Sequence, residues 1–372
     1  MEMKKKATKG LKIKQQQKTK LVQRYLIAGG IFSIFAFVSA LIYWNLGVNT
    51  SAVAGVSYTW NGSSDSLWSN TDNWTPSGVP SVNDQITIPS SLSRYPVLDN
   101  AVTTSDMTLN SGSQLDMNGF SLTLAGSFVM NTTSALELRG GNLLINGNAT
   151  FNGGTITTST GTGNMVTNGS STVFGSGSGG PTIHPDIEVN SEIVTVRNTT
   201  FNGITRLTKT GASNDVASGN NTFNDSTFIT NSGTGYLIFS NSTRDIYNAP
   251  LILNSLGAGV LYMAYNGTNT QFNENLIFNS TGGGIRIGGS NGTSILAADK
   301  QLTIGNTGYT SGTLQLSRMS IGGSSDQSLT LTGSAVLTLG PATTFPSDFM
   351  AVSPGVSLNG VVFNGDVNIT KN

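Results

Sequence analysis

The sequence predicts an all-β protein: a right-handed parallel β-helix that follows an N-terminal hydrophobic helix. Three observations carry this expectation. Apolar residues alternate with polar ones in short runs, as at Leu122 and Leu124, Leu302 and Ile304, Leu314 and Leu316, Leu329 and Leu331, and Leu337 and Leu339. A period of two belongs to strands. Asn-Gly, Gly-Gly, Ser-Gly and Asn-Ser turn signals separate the runs. The pair Phe-Asn recurs at Phe151, Phe201, Phe223, Phe272 and Phe363, with gaps of 50, 22, 49 and 91 residues. Those gaps lie near multiples of a unit of ~22–25 residues, within the range of solenoid repeats. A further copy, Phe278-Asn279, is out of step. Charged residues make up only 10% of the 372-residue chain, and 46 residues are Gly. Amphipathic helices need charged faces that such a composition does not supply.

The elements follow in order. Residues 1–24 hold nine Lys or Arg and one acid, Glu2, a net charge of +8, while the rest of the chain carries −8. Residues 25–48 form the hydrophobic signal or anchor helix. The 19 residues from Leu26 to Trp44 are apolar apart from Ser33, Ser39 and two glycines, and no charge occurs between Tyr25 and Ser64. At 1.5 Å per residue such a run spans ~28 Å, about one hydrocarbon core. Positive flanks stay cytoplasmic, so the basic head stays inside and the body is exported. The segment reads either as a signal peptide cleaved after Ala52-Val53-Ala54 or as an uncleaved anchor with Tyr43 and Trp44 at the far interface.

Residues 49–57 form a linker and residues 58–100 an aromatic capping module. Residues 101–372 form the solenoid, about a dozen coils and ~55–60 Å long at ~4.8 Å per coil. In a parallel β-helix the same ring position stacks on itself. Phe then fills a core column with Phe151, Phe201, Phe223, Phe272 and Phe363 pointing inward, and Asn builds a side-chain amide ladder. Ile183, Ile187 and Val189 are expected on one face of one strand. A β-sandwich array is the rival architecture.

A longer repeat also shows. Phe201-Asn202-Gly203 through Lys209 matches Phe363-Asn364-Gly365 through Lys371 at an offset of 162 residues. It suggests a second long module starting near 361, with Val361, Val362, Phe363, Val367 and Ile369 at an exposed edge.

Candidate chemistry is sparse. With no Cys and a single His, thiolate sites, Cys nucleophiles and His-pair zinc motifs are excluded. Calcium β-roll repeats and phosphate loops are not matched. The acidic body argues against nucleic-acid binding. Two constellations remain. Trp60, Trp68 and Trp74 fall within fifteen positions. They read either as a cap over the first coil or as a carbohydrate-binding platform that stacks on sugar rings. His184, Asp186 and Glu188 alternate and are expected on one strand face. There they read as an ordinary solvated face, a divalent-metal site or an acid–base set.

Trp60-Asn61-Gly62, Asp72-Asn73-Trp74, Gly78-Val79-Pro80 and Ile86-Thr87-Ile88-Pro89 occur in that order. This order resembles the first module of large repetitive β-helical adhesin-like surface proteins of Bacteroidota-type bacteria. The stretches Leu115 to Leu124 and Leu207 to Asp215 resemble their coils. The resemblance implies an exported structural stalk at the cell surface or outside the cell, membrane-anchored if the helix is retained. It implies no enzymatic activity and no cofactor. The partners expected are cell-envelope or extracellular surfaces, glycans among them, with no nucleic acid. The alternative is a polysaccharide-processing or carbohydrate-binding protein on the same fold. Two carboxylates and a basic residue in one groove would favour that alternative. Uniform Ser/Thr/Asn faces would favour the stalk.

Overall fold

A computed structural model describes residues 55–176 and 179–372. The basic head, the apolar run and its predicted helix lie outside the described residues. Among the described residues no helix is long and apolar enough to cross a membrane. The described residues wind as a parallel β-solenoid. A 12-stranded, a 10-stranded and an 8-stranded sheet run along it, joined further on by a 7-stranded and a 3-stranded sheet. Almost every strand pairs in parallel with the strand one coil away. The pair Ser57–Trp60 and Trp74–Thr75 in the cap is antiparallel. At ~4.8 Å per step the 12-stranded sheet is about 53 Å long. The sandwich alternative is overturned by this register.

The core follows from the two-residue period. In the 12-stranded sheet Leu115, Leu136, Ile156, Ile183, Phe201, Phe223, Tyr247, Phe272 and Leu296 are successive register neighbours. All nine are buried. The paired leucines of the sequence are buried as well: Leu122 with Leu124, Leu314 with Leu316, Leu329 with Leu331, and Leu337 with Leu339. Coil length is less regular than the Phe-Asn spacing suggests, from 18 residues between Ile183 and Phe201 to 29 between Ile285 and Leu314.

Two expectations need correction. Phe151 is buried, but it lies in strand Ala149–Phe151 of the 8-stranded sheet, not in the sheet of Phe201, Phe223, Phe272 and Phe363. The aromatic column nonetheless runs on across the core. Ring centroids lie 5.5 Å apart from Phe128 to Phe151, 5.0 Å to Phe174, 5.4 Å to Phe201 and 5.0 Å to Phe223. Tyr247 and Phe272 then follow at 4.8 and 5.5 Å. Similarly, Ile183 points inward from strand Thr182–Ile183, while Ile187 and Val189 point inward from Asp186–Ser191 in a different sheet. His184 and Pro185 turn the corner between the two strands.

The expected amide ladder forms at the corner after the Phe column. Asn224 donates to Asn202, Asn248 to Asn224 and Asn273 to Asn248, each at 2.7 Å. Asn224 and Asn248 each accept from one coil and donate to the other, which suits a repeat of one strand spacing. Close backbone stacking fixes some glycines: a Cβ on Gly169 would lie 2.0 Å from the Gly147 carbonyl oxygen. The last coil is the most open. Val362 and Val367 are exposed, Phe363 and Ile369 half-buried, and the Phe363 ring stacks 5.4 Å from Phe345.

At two places one sheet gives way to another, and a side chain bridges each seam. The 8-stranded sheet ends at Ile193–Val196 and the 7-stranded sheet begins at Asp215–Val216. There the Val194 N–H donates to Asp215 Oδ2 at 2.8 Å. The 10-stranded sheet ends at Leu302–Tyr309 and the 3-stranded sheet begins at Gln327–Thr330. There the Leu302 N–H donates to Gln327 Oε1 at 2.8 Å. In both cases a side-chain oxygen accepts from a backbone N–H that would otherwise be buried without a partner.

Asp245 is fully buried in a corner, where its carboxylate accepts from Asn221 N and Nδ2 at 2.9 Å and from Ser240 Oγ at 2.6 Å. Burial pushes its pKa up to about 6, against the opposing hydrogen bonds from Ser240 and Asn221. The folded protein therefore binds this proton more tightly than the unfolded chain does. Its contribution to stability is fully present below pH ~4 and is lost as pH rises through 6. At 1.36 kcal/mol per pH unit the loss is about 3 kcal/mol. We expect the difference in unfolding free energy between the wild type and Asp245→Asn to change by that amount between about pH 3 and pH 7. A difference that stays flat with pH would refute the assignment.

Candidate functional site

The three clustered tryptophans are core, and the carbohydrate-platform reading is overturned for them. Trp60, Trp68 and Trp74 are all buried and belong to the same apolar cluster as the solenoid interior. Trp74 packs edge-to-face on Trp60 at 4.9 Å and on Trp68 at 4.7 Å. Trp60 Nε1 donates to the Arg94 carbonyl at 2.9 Å, and Trp74 Nε1 donates to the Trp68 carbonyl at 2.8 Å. Between them Asn73 Oδ1 accepts from Ser64 N and Asp65 N, both at 3.0 Å, while Asn73 Nδ2 donates to Asp65 Oδ1 at 2.7 Å. The Asp-Asn-Trp motif thus knots the cap together. A sugar ring needs an exposed aromatic face, and these rings have none to offer.

The expected His184, Asp186 and Glu188 set is also corrected. Asp186 and Glu188 do share the outward face of strand Asp186–Ser191. His184 stands in the preceding corner, where its Nδ1 lies 3.3 Å from Asn202 Nδ2 at the head of the amide ladder. Asp186 Oδ1 accepts from Ile204 N at 2.8 Å, and Glu188 is the register neighbour of Arg206. Among the described residues no three His, Cys, Asp or Glu side chains gather as metal ligands. A shallow depression of about 130 Å³ runs past Asp186, Glu188 and Arg206. The Arg206 guanidinium caps the Phe228 ring at 4.0 Å.

A larger cleft, of about 560 Å³, lies elsewhere. Its floor is the outward face of three consecutive strands, Gln114–Asp116, Ala135–Glu137 and Thr155–Thr157. Its wall is the cap segment from Ser93 to Val97. Asp116 and Glu137 are register neighbours on the floor. The Arg139 Nε donates to both Asp116 oxygens, at 3.0 and 2.9 Å. Glu137 accepts from Thr157 Oγ1 at 2.6 Å, Ser159 N at 2.8 Å and Arg139 N at 3.0 Å. Burial raises the Glu137 pKa, but the hydrogen bonds from Thr157, Ser159 and Arg139 outweigh it and hold the carboxyl below its ordinary range. Arg94 and Tyr95 line the wall, where Arg94 Nη1 donates to the Gly62 and Ser63 carbonyls at 3.5 and 3.4 Å and the Tyr95 hydroxyl donates to the Gly112 carbonyl at 3.0 Å.

Sequence reasoning passed over this cleft. The available signal was a second kind of repeat. Leu115-Asp116-Met117-Asn118-Gly119 and Leu136-Glu137-Leu138-Arg139-Gly140 stand 21 residues apart, one coil, with acid on acid.

A family model described as a domain of unknown function, DUF8693, matches residues 59–251, just over half of the chain. The chain belongs to the DUF8693 family. The matched span holds the tryptophan cap, both depressions, the first sheet seam and most of the amide ladder. No curated protein and no solved structure matches the chain.

Proposed function

We propose that this DUF8693 protein is an exported, non-catalytic surface stalk of the adhesin-like kind. The basic head and apolar run carry the body to the cell surface or beyond. The body then stands as a rigid rod, right-handed as crossover connections between parallel strands almost always are. One observation carries the reading: a single core runs in register from the Trp60–Trp68–Trp74 cap along the coils. Such a solid axis suits a protein that holds a surface at a distance. Much of the outside is plain, as in the column Thr87, Thr108, Val129, Thr150, Val173 and Thr195 along the 8-stranded sheet. Contacts repeated along such a face add by multivalency.

A polysaccharide-processing protein is the second reading, and Asp116 and Glu137 beside two arginines in one cleft favour it. Glycoside hydrolysis also needs a carboxyl that holds its proton near neutral pH. Glu137 is held the other way, so binding fits this cleft better than hydrolysis does.

Protease added to spheroplasts of cells expressing the full chain tests export. We expect residues 58–372 to be digested and the basic head protected. Sequencing of the mature N-terminus distinguishes a start at Gly55 from a retained anchor. Full protection of the body would overturn the proposal.

A further inference from the structure

We infer that the cleft between the cap segment Ser93–Val97 and the floor strands is a binding site for neutral glycan chains. The inference rests on the surface-stalk reading and gives the stalk its ligand class. Size and shape come first: about 560 Å³ lies within the range of small-ligand sites, and the cleft is an open trough rather than an enclosed cavity.

The chemistry of the lining narrows the ligand. Arg94 and Arg139 bring two positive charges, Asp116 and Glu137 two negative ones, so the charged groups cancel. Gln114 and Thr157 add uncharged donors and acceptors, and the half-buried Tyr95 and Val97 add apolar surface. A polyanion would meet the two carboxylates, and a polycation would meet the two guanidinium groups. A purely apolar ligand would strip water from all four charges with nothing in exchange. A neutral polyol has hydroxyls that donate to carboxylates and accept from guanidinium groups, and ring C–H faces that lie on Tyr95 and Val97. It is the class that matches every wall.

The site is also built in advance. Its floor residues stand on paired strands, and Glu137 and Asp116 are held by the hydrogen bonds already described. Arg139 closes the mouth of the trough. It sits at φ 46°, in the left-handed region, where the coil before it has Asn118 at φ 48°. Asn tolerates that conformation and a long side chain does so poorly. The corner thus carries a strained Arg in a place where the neighbouring coil uses the comfortable residue. The result is a guanidinium laid across Asp116 at the mouth of the cleft.

Two variants test the site in the full chain, purified in mild detergent. Arg139→Asn installs the residue of the neighbouring coil and removes the guanidinium. Ala135→Trp fills the trough from an exposed floor position that makes no side-chain hydrogen bond. Both are screened with the wild type on an array of neutral gluco-, manno-, galacto- and xylo-oligosaccharides, beside uronic-acid, sulfated and amino-sugar glycans. Affinity for any binder is then measured by calorimetry. We expect the wild type to bind one or more neutral glycans, and each variant to lose at least tenfold in affinity with its thermal midpoint unchanged or raised. Wild-type binding confined to charged glycans, no neutral binder at millimolar concentration, or undiminished binding in well-folded Ala135→Trp would each overturn the inference. None of these outcomes bears on export, which the protease experiment decides separately.

Discussion

Replacing Trp74 by Ala should lower the stability of the first coils by about 3–5 kcal/mol, the usual cost of truncating a buried Trp. The reason is its position at the centre of the cap. Its ring contacts Trp60 and Trp68 edge-to-face, and its Nε1 ties to the Trp68 carbonyl. Removing it leaves a cavity that two rigid indoles cannot collapse into. In a solenoid each coil contacts only its neighbours, so the damage should stay local. Hydrogen exchange followed by mass spectrometry should show residues 57–116 opening first. The coils of the Asn202–Asn273 ladder should keep near-native protection. Trp74→Phe should recover part of the loss. A variant with undisturbed exchange in the cap would mean that Trp74 does not close the core, contrary to its burial.

Asp215→Ala should be comparably damaging, by about 3–5 kcal/mol, because it breaks a buried ion pair and leaves one charge behind. Asp215 Oδ2 lies 3.7 Å from Lys209 Nζ, and both side chains are shut off from water. Lys209 also donates to the Gly211 carbonyl at 2.7 Å and the Glu192 carbonyl at 3.2 Å. The change strands the ammonium and the Val194 N–H together, at the seam where one sheet replaces another. Burial raises the Asp215 pKa despite the Val194 and Lys209 contacts, so the carboxylate gains less from its partners than it loses by desolvation. The pair is therefore a means of joining sheets more than a source of stability. Accordingly, Lys209→Met with Asp215→Asn should come within about 1 kcal/mol of the wild type in urea unfolding. The Asn side-chain oxygen still accepts from Val194, and the double change leaves no buried charge. A double variant as unstable as Asp215→Ala would sink this account of the seam.

What was legible in the chain alone is what repeats at short range. Alternation of Leu, Ile and Phe with polar residues predicted the all-β class and the inward phase of each strand. It did so because a strand exposes successive side chains to opposite faces whatever surrounds it. Phe201, Phe223 and Phe272 with Asn202, Asn224 and Asn273 also stood out, because one residue type returning every one or two coils marks a stacked ring position. Tertiary structure decided the rest, because contacts along the rod join residues 18 to 29 positions apart and the corners set that number afresh in each coil. That is why Phe151 belongs to another sheet and yet joins the same aromatic column. It is also why His184 turns a corner and leaves Asp186 and Glu188 behind. The tryptophans could be read as platform or cap until their faces were seen to be covered. Asp116, Glu137 and Arg139 were scattered charges in the chain. They become one cleft only because the strands that carry them stack in register, beside the Ser93–Val97 segment of the cap.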